Sequence, residues 1–169
     1  MSTPVEKWVV VDATPADFEA LADLMAGSPL WQRYGGTRPS ALHSLRVAYL
    51  EGDVLLICRS APNVPPVGLA WLIRTRILNF GAYLRLLLVG ESYLGRGLGE
   101  RLLRAAEARL SDGSNHLYLL VTRDNSGARR FYERHGYRHV GDLPELVLPG
   151  IDEALYHKVL RSHAERVNC

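Results

Sequence analysis

Residues 82–110 constrain the fold of this 169-residue chain more than any other stretch. Ala82 to Val89 is a nearly unbroken apolar run. Gly95, Gly97 and Gly99 then alternate with Arg96 and Leu98, and helix-forming residues continue to Leu110. A short apolar run predicts a strand in the middle of a sheet, buried on both faces. Leu98, Leu102, Leu103, Ala106 and Leu110 share one face of the predicted helix, and Glu100 and Arg104 form an i,i+4 pair on its surface. His116 to Thr122 is β-rich and predicts the next strand. Strand, loop, helix and strand in that order predict a parallel crossover.

Glycine at a helix start costs backbone entropy and helix propensity. The return is exposed backbone. The first N–H groups of a helix lack partners and sit at the positive end of its dipole, so they bind anions, and absent side chains let a phosphate approach. Residues 95–99 therefore read as a phosphate or pyrophosphate cradle to which Arg96 can add charge, or else as a tight turn with glycines for packing. Two common cradles are excluded. Counted from Gly95, the last glycine of G-x-G-x-x-G falls on Glu100. Gly90 and Gly95 have the spacing of a nucleotide-hydrolysing P-loop, but Arg96 and Gly97 stand where it needs Lys and a hydroxyl.

The flanks predict a mixed α+β architecture. Trp8 to Val11 reads as a strand, and Thr14-Pro15-Ala16-Asp17 as a capped helix start with Phe18, Leu21, Leu24 and Met25 at helical spacing. A break at 27–29 precedes a second helix over 40–50. Strands follow at 53–59 and 67–77 with a turn near 79–81, then a short helix over 126–135 ended by Gly136, then strands at 137–140 and 154–160. The length suits one domain. A net charge of +2 is too mild to argue for nucleic acid, and no run is long enough for a membrane helix. Cys58 and Cys169 give neither a disulfide framework nor metal spacing, so no metal is expected and a reducing cytoplasm is.

The loop Leu94-Gly95-Arg96-Gly97-Leu98-Gly99 resembles the coenzyme-A loop of the GNAT superfamily of acyltransferases, Q/R-x-x-G-x-G/A, with Leu94 replacing the first polar residue. A second block, Asn125-Ser-Gly-Ala128-Arg-Arg-Phe131-Tyr132-Glu-Arg-His-Gly136-Tyr137, is similar to that superfamily's N-x-x-A-x-x-F-Y-x-x-x-G-F/Y throughout, in the expected order. The resemblance implies a mixed, mostly antiparallel sheet flanked by helices and splayed at the cofactor site, with acetyl-CoA as donor. It also implies roles. Leu87, Leu88 and Val89 would offer backbone to the pantetheine arm and, near the thioester carbonyl, an N–H to the oxyanion. Leu94, Gly95, Arg96, Gly97, Leu98 and Gly99 would hold the phosphates. Asn125 would bond the arm, or cap the helix. Arg129 would reach the phosphates, or lie on a solvated face. Tyr132 would be the general acid that protonates the departing thiolate.

The base is not assigned. Some relatives carry a glutamate on the central strand where this chain has Tyr83. Glu91 reads better as a surface carboxylate, and His43, His116 or a water wire are the other candidates. Trp31 and Tyr34, with Tyr83, are expected at the acceptor pocket. The whole describes a single domain over residues 1–169 that transfers an acetyl group directly to a primary amine, on a small molecule or a peptide. Nucleic acid and membrane are not expected as partners, and a homodimer is left open. The alternative is a non-catalytic acyl-CoA-binding or sensing protein on the same fold. Leu94 and the missing strand carboxylate motivate it, and the intact Tyr132 stands against it. A phosphate-binding module of another fold would leave the second block unexplained.

Overall fold

The computed structural model describes residues 7–77, 81–110 and 115–160. Strand β1 (Val9–Asp12) leads through a 3-10 turn at Pro15–Asp17 into helices α1 (Phe18–Ala26), α2 (Pro29–Arg33) and α3 (Arg38–Glu51). Strands β2 (Val54–Arg59), β3 (Gly68–Ile77) and β4 (Gly81–Val89) follow. A 3-10 turn at Glu91–Tyr93 precedes α4 (Leu98–Ala108), β5 (His116–Thr122), α5 (Ser126–Arg134), β6 (Arg138–Leu148) and β7 (Ile151–Val159). The strand order is β1-β2-β3-β4-β5-β7-β6. Strand β4 pairs with β5 in parallel, whereas β1–β2, β2–β3, β5–β7 and β6–β7 are antiparallel. This is the mixed, mostly antiparallel sheet expected. The chain groups into two compact units, Met1–Leu72 with Leu86–Ala106, and Ile73–Arg85 with Glu107–Cys169.

In the first unit the chain enters α1 through a reciprocal cap. The Thr14 N–H and Oγ1 donate to Asp17 Oδ2 at 2.8 and 3.0 Å. Asp17 Oδ1 in turn accepts from Arg59 Nη2 at 2.7 Å, which ties the helix start to the end of β2. Phe18, Leu21, Ala22 and Met25 bury one face of α1. Helix α3 faces it with Ala41, Leu45 and Ala48, and Arg38 reaches back to Glu19 and Asp23 on α1. Helix α4 buries Leu98, Leu102, Leu103 and Ala106, the face read from the sequence. Gly68 on β3 admits it: a Cβ there would meet Leu102 Cδ1 at 2.8 Å and the Leu88 carbonyl at 3.0 Å.

In the second unit β5 lies between β4 and β7. Leu117, Leu119 and Val121 point to one face with Ala154 and Tyr156, all buried. Glu107 accepts from the Tyr137 hydroxyl at 2.9 Å and from Lys158 Nζ at 2.7 Å. Burial, followed by the field of Glu107 and this bond, pushes the Tyr137 phenol far above its ordinary value.

Four expectations are corrected or fall outside the described residues. The break after α1 contains a short helix, α2, started by Pro29. Strand β6 runs to Leu148 rather than Val140, because it pairs as an edge strand with β7 despite Pro144 and two register shifts. Burial of β4 on both faces holds only in part. Gly81, Ala82 and Leu84 are buried, Arg85 is exposed and 86–89 are half-buried. The ladder with β5 covers Gly81↔His116 to Leu84↔Leu119. Residues 79 and 80 of the expected turn, and Cys169, lie outside the described residues.

Candidate active site

The end of β4 is pinned in the first unit by the Gly90 N–H, which donates to the Val67 carbonyl at 2.8 Å. Beyond the 3-10 turn and Leu94, Gly95 and Gly97 both take φ of +75°, a left-handed conformation that side chains resist. A Cβ on either would meet nothing within 4 Å. Backbone conformation and open space in front of it, not internal packing, thus set these glycines. Left-handed residues alternating with an ordinary one turn successive N–H groups toward one side, the arrangement of an anion nest. Helix α4 starts next, at Leu98, and the Arg101 N–H donates to the Gly97 carbonyl at 3.1 Å. The cradle fits a pyrophosphate. Leu98 itself is buried, so only its backbone can serve there.

Arg96 lies over the loop, its guanidinium 5.2 Å from the Tyr93 ring centre and Nη2 donating to the Ser92 carbonyl at 3.3 Å. Leu94 is 63 % exposed, so its departure from the polar pattern costs no core packing. Trp31 is half-buried on α2 with Nε1 donating to the Thr37 carbonyl at 3.2 Å, and Tyr34 closes that helix. Elsewhere in this unit a groove of about 660 Å³ lies beside Asp17, Arg59 and Pro62. Its one guanidinium is already paired with Asp17.

The second unit carries the other block. Asn125 caps α5, its Oδ1 accepting from the Ala128 N–H at 3.0 Å, which leaves the amide nitrogen for a further acceptor. Phe131 and Tyr132 meet edge to face, and Tyr132 meets Tyr137 the same way at 5.5 Å. The Tyr132 ring is buried at 8 % exposure, yet its hydroxyl makes no hydrogen bond among the described residues and is not sealed from solvent. Burial, then the neighbouring Tyr83, pushes this phenol well above its ordinary value. Tyr83 is half-buried on β4 and is also raised, chiefly by burial, with Arg85 lowering it and Glu153 raising it. Arg129 does not lie on a free solvated face. Its Nε donates to the Tyr156 hydroxyl at 3.0 Å and its Nη1 to the Arg123 carbonyl at 3.3 Å.

The candidate bases separate. Glu91 and His43 are exposed, and His116 Nδ1 lies 2.8 Å from His157 Nε2 in a stacked pair. Glu153 on β7 is a carboxylate that the sequence pattern did not single out, and it is 3 % exposed. Asp152 and Glu153 stand side by side in the otherwise apolar run 151–156. Cys58 is buried, which raises its thiol and makes it a poor nucleophile.

Residues 29–137 match the family model described as acetyltransferase (GNAT) family. The chain belongs to that family. No curated protein sequence matches it. Solved structures do. Ard1 from Thermoplasma volcanium is 18% identical with a TM-score of 0.75, over 92% of this chain and 99% of that one. An acetyltransferase from Thermus thermophilus is 25% identical with a TM-score of 0.72, over 90% and 97%. The yncA protein of Salmonella typhimurium, solved with its cofactor acetyl-CoA, is 16% identical with a TM-score of 0.73, over 93% and 96%. GNAT acetyltransferases use acetyl-CoA, so this GNAT member is an acyltransferase with acetyl-CoA as its donor. No helix among the described residues is long and apolar enough to cross a membrane.

A cofactor-binding result follows for the cradle. Gly97→Glu places a side chain on a left-handed residue and an anion in front of the N–H groups. It weakens CoA binding by more than tenfold, about 1.4 kcal/mol. Calorimetric titration of CoA checks it, with circular dichroism to show that the variant folds; unchanged affinity would remove the cradle.

Proposed function

We propose that this acetyltransferase, read as a single domain over residues 1–169, transfers the acetyl group to a primary amine of a small molecule or peptide by direct attack in a ternary complex. The observation that carries the reading is Tyr132, whose ring is buried and whose hydroxyl is unspent within the described residues. When bound, acetyl-CoA supplies a thioester carbonyl for attack and a thiolate as leaving group. The backbone of 95–99, with Arg96, holds the phosphates. The backbone of 87–89 and the Asn125 amide hold the arm. Tyr132 gives a hydrogen bond or a proton to the sulfur as its charge develops. The inert Cys58 favours direct transfer over an acyl-enzyme. Trp31, Tyr34 and Tyr83 are proposed at the acceptor. Arg129, held by Tyr156 and the Arg123 carbonyl, acts on phosphates only if it leaves them.

Release of CoA thiol from acetyl-CoA with a panel of amines, and mass analysis of the products, tests this. An amide product that requires both substrates is expected. CoA binding without turnover on any amine would favour the sensing alternative.

A further inference from the structure

An aromatic on an apolar sheet face needs only its ring, whereas a buried hydroxyl needs partners. Tyr156 on β7 stands on the face of Leu117, Leu119, Val121 and Ala154 and is fully buried. Its hydroxyl is bonded twice to α5. It accepts from Arg129 Nε at 3.0 Å and donates to Glu133 Oε1 at 2.8 Å, two residues that stand one helical turn apart. Arg129 carries the connection on. The other side of its planar fork, Nη1, donates to the Arg123 carbonyl at 3.3 Å, in the turn between β5 and α5. The β6–β7 hairpin holds the same turn. The Arg123 N–H donates to the Asp152 carbonyl at 2.9 Å, and its guanidinium pairs with Asp142 and Asp152 at 3.3 and 3.2 Å. Two residues on is Asn125, whose N–H donates to the Thr122 carbonyl at 2.8 Å and whose Oδ1 caps α5. With that oxygen committed to the cap, the placement of the turn sets where the amide nitrogen points.

We propose that Tyr156 is a positioning residue for the cofactor: through Arg129 its hydroxyl fixes the β5–α5 turn, and the turn aims the Asn125 amide at a carbonyl of the pantetheine arm. The inference rests on the reading of Asn125 given above. It also gives Arg129 a role away from the phosphates, as the strut between β7 and the turn. Such a strut acts on binding and not on bond-making. Asn125 holds the arm equally before and during transfer, so losing its aim raises KM for acetyl-CoA and leaves kcat in place. The hydroxyl can be separated from the packing. Phenylalanine at 156 fills the same space on the apolar face and releases only Arg129 Nε and Glu133 Oε1.

The test is calorimetric titration of Tyr156→Phe with CoA and with 3′-phospho-ADP, which carries the phosphates without the arm, beside steady-state kinetics. The expected result is a loss of about fivefold in CoA affinity and in KM for acetyl-CoA. The kcat value and the affinity for 3′-phospho-ADP stay nearly unchanged. Asn125→Asp keeps the capping oxygen and removes the amide donor, and it weakens CoA binding by itself. Adding Tyr156→Phe to it costs little more, as for two residues that act through one contact. Arg129→Lys keeps the charge and loses the fork; it repeats the pattern and serves where the phenylalanine variant does not fold. CoA affinity that holds or rises in Tyr156→Phe overturns the proposal. Equal losses for both ligands overturn it as well and return Arg129 to the phosphates. Additive losses in the double variant do the same and leave Tyr156 a structural residue. None of these three results touches the acyl-transfer reading. If Asn125→Asp binds CoA as the wild type does, the reading of Asn125 fails, and this proposal with it. A wild-type chain that binds CoA but acylates no amine ends the acyl-transfer reading, while the binding comparisons still decide this one.

Discussion

Tyr132→Phe lowers kcat by about 10²-fold and leaves CoA affinity nearly unchanged. General acids are typically worth about 10² to 10⁴ in rate. The structure puts this one at the lower end, because burial raises the phenol well above its ordinary value. A thiolate with a pKa near 8.5 is a weaker base than such a phenolate, so complete proton transfer would be uphill. The hydroxyl then works chiefly as a hydrogen-bond donor to developing negative charge, worth about 2.7 kcal/mol at 10²-fold. The ring stays in the variant, so its edge-to-face contacts with Phe131 and Tyr137 persist and the fold holds. The raised phenol has a second consequence. A group lifted this way stays protonated well beyond the ordinary tyrosine range, so no loss of rate assignable to Tyr132 appears up to about pH 10. Steady-state kinetics with a parallel CoA titration checks both. If binding falls while the rate holds, Tyr132 is a cofactor contact; if neither moves, it is structural.

What could be read in the sequence was what local pattern determines. Leu98, Leu102, Leu103 and Ala106 at helical spacing placed the buried face of α4, and the β-rich run His116–Thr122 marked β5. The alternating glycines announced a backbone site, and the left-handed conformation of Gly95 and Gly97 is what that composition is for. What was not legible depends on pairing between distant segments. The burial of β4 falls off after Leu84, and the apolar identity of the residues that follow does not announce it. Strand β6 reads poorly because an exposed edge strand needs no apolar alternation, and its burial pattern shows none. The burial of Glu153 carries no local mark in the sequence. Its place comes from the return of β7 between β5 and β6. Tyr132 could be named from the sequence block, but its unspent hydroxyl could not.

Asp17→Ala destabilises the fold by about 3 kcal/mol at neutral pH, because removing one partner of a buried pair leaves the other charge without an answer. The pair joins residues 42 apart, with side chains 10 % and 11 % exposed for Asp17 and Arg59. Arg59 has little in reserve. Its Nη1 donates to the Pro62 carbonyl at 2.6 Å, and its buried Nε has no partner among the described residues. The variant also loses the cap of the Pro15–Asp17 turn, since Asp17 takes both the N–H and the hydroxyl of Thr14. At about 2–4 °C per kcal/mol for a chain of this size, the midpoint of thermal unfolding falls by about 6–12 °C. The pH dependence has a definite sign. Burial alone would raise the Asp17 carboxyl, but the Thr14 bonds and Arg59 outweigh it and hold it below the ordinary value. A carboxylate lowered by folding contributes stability above its unfolded pKa and loses it as pH falls through the folded one. The gap between wild type and variant is therefore constant from about pH 7 to pH 5 and narrows below about pH 4. Denaturant unfolding of both proteins across that range measures it. A gap that is small at pH 7, or that widens on acidification, would show that the pair contributes nothing beyond its packing.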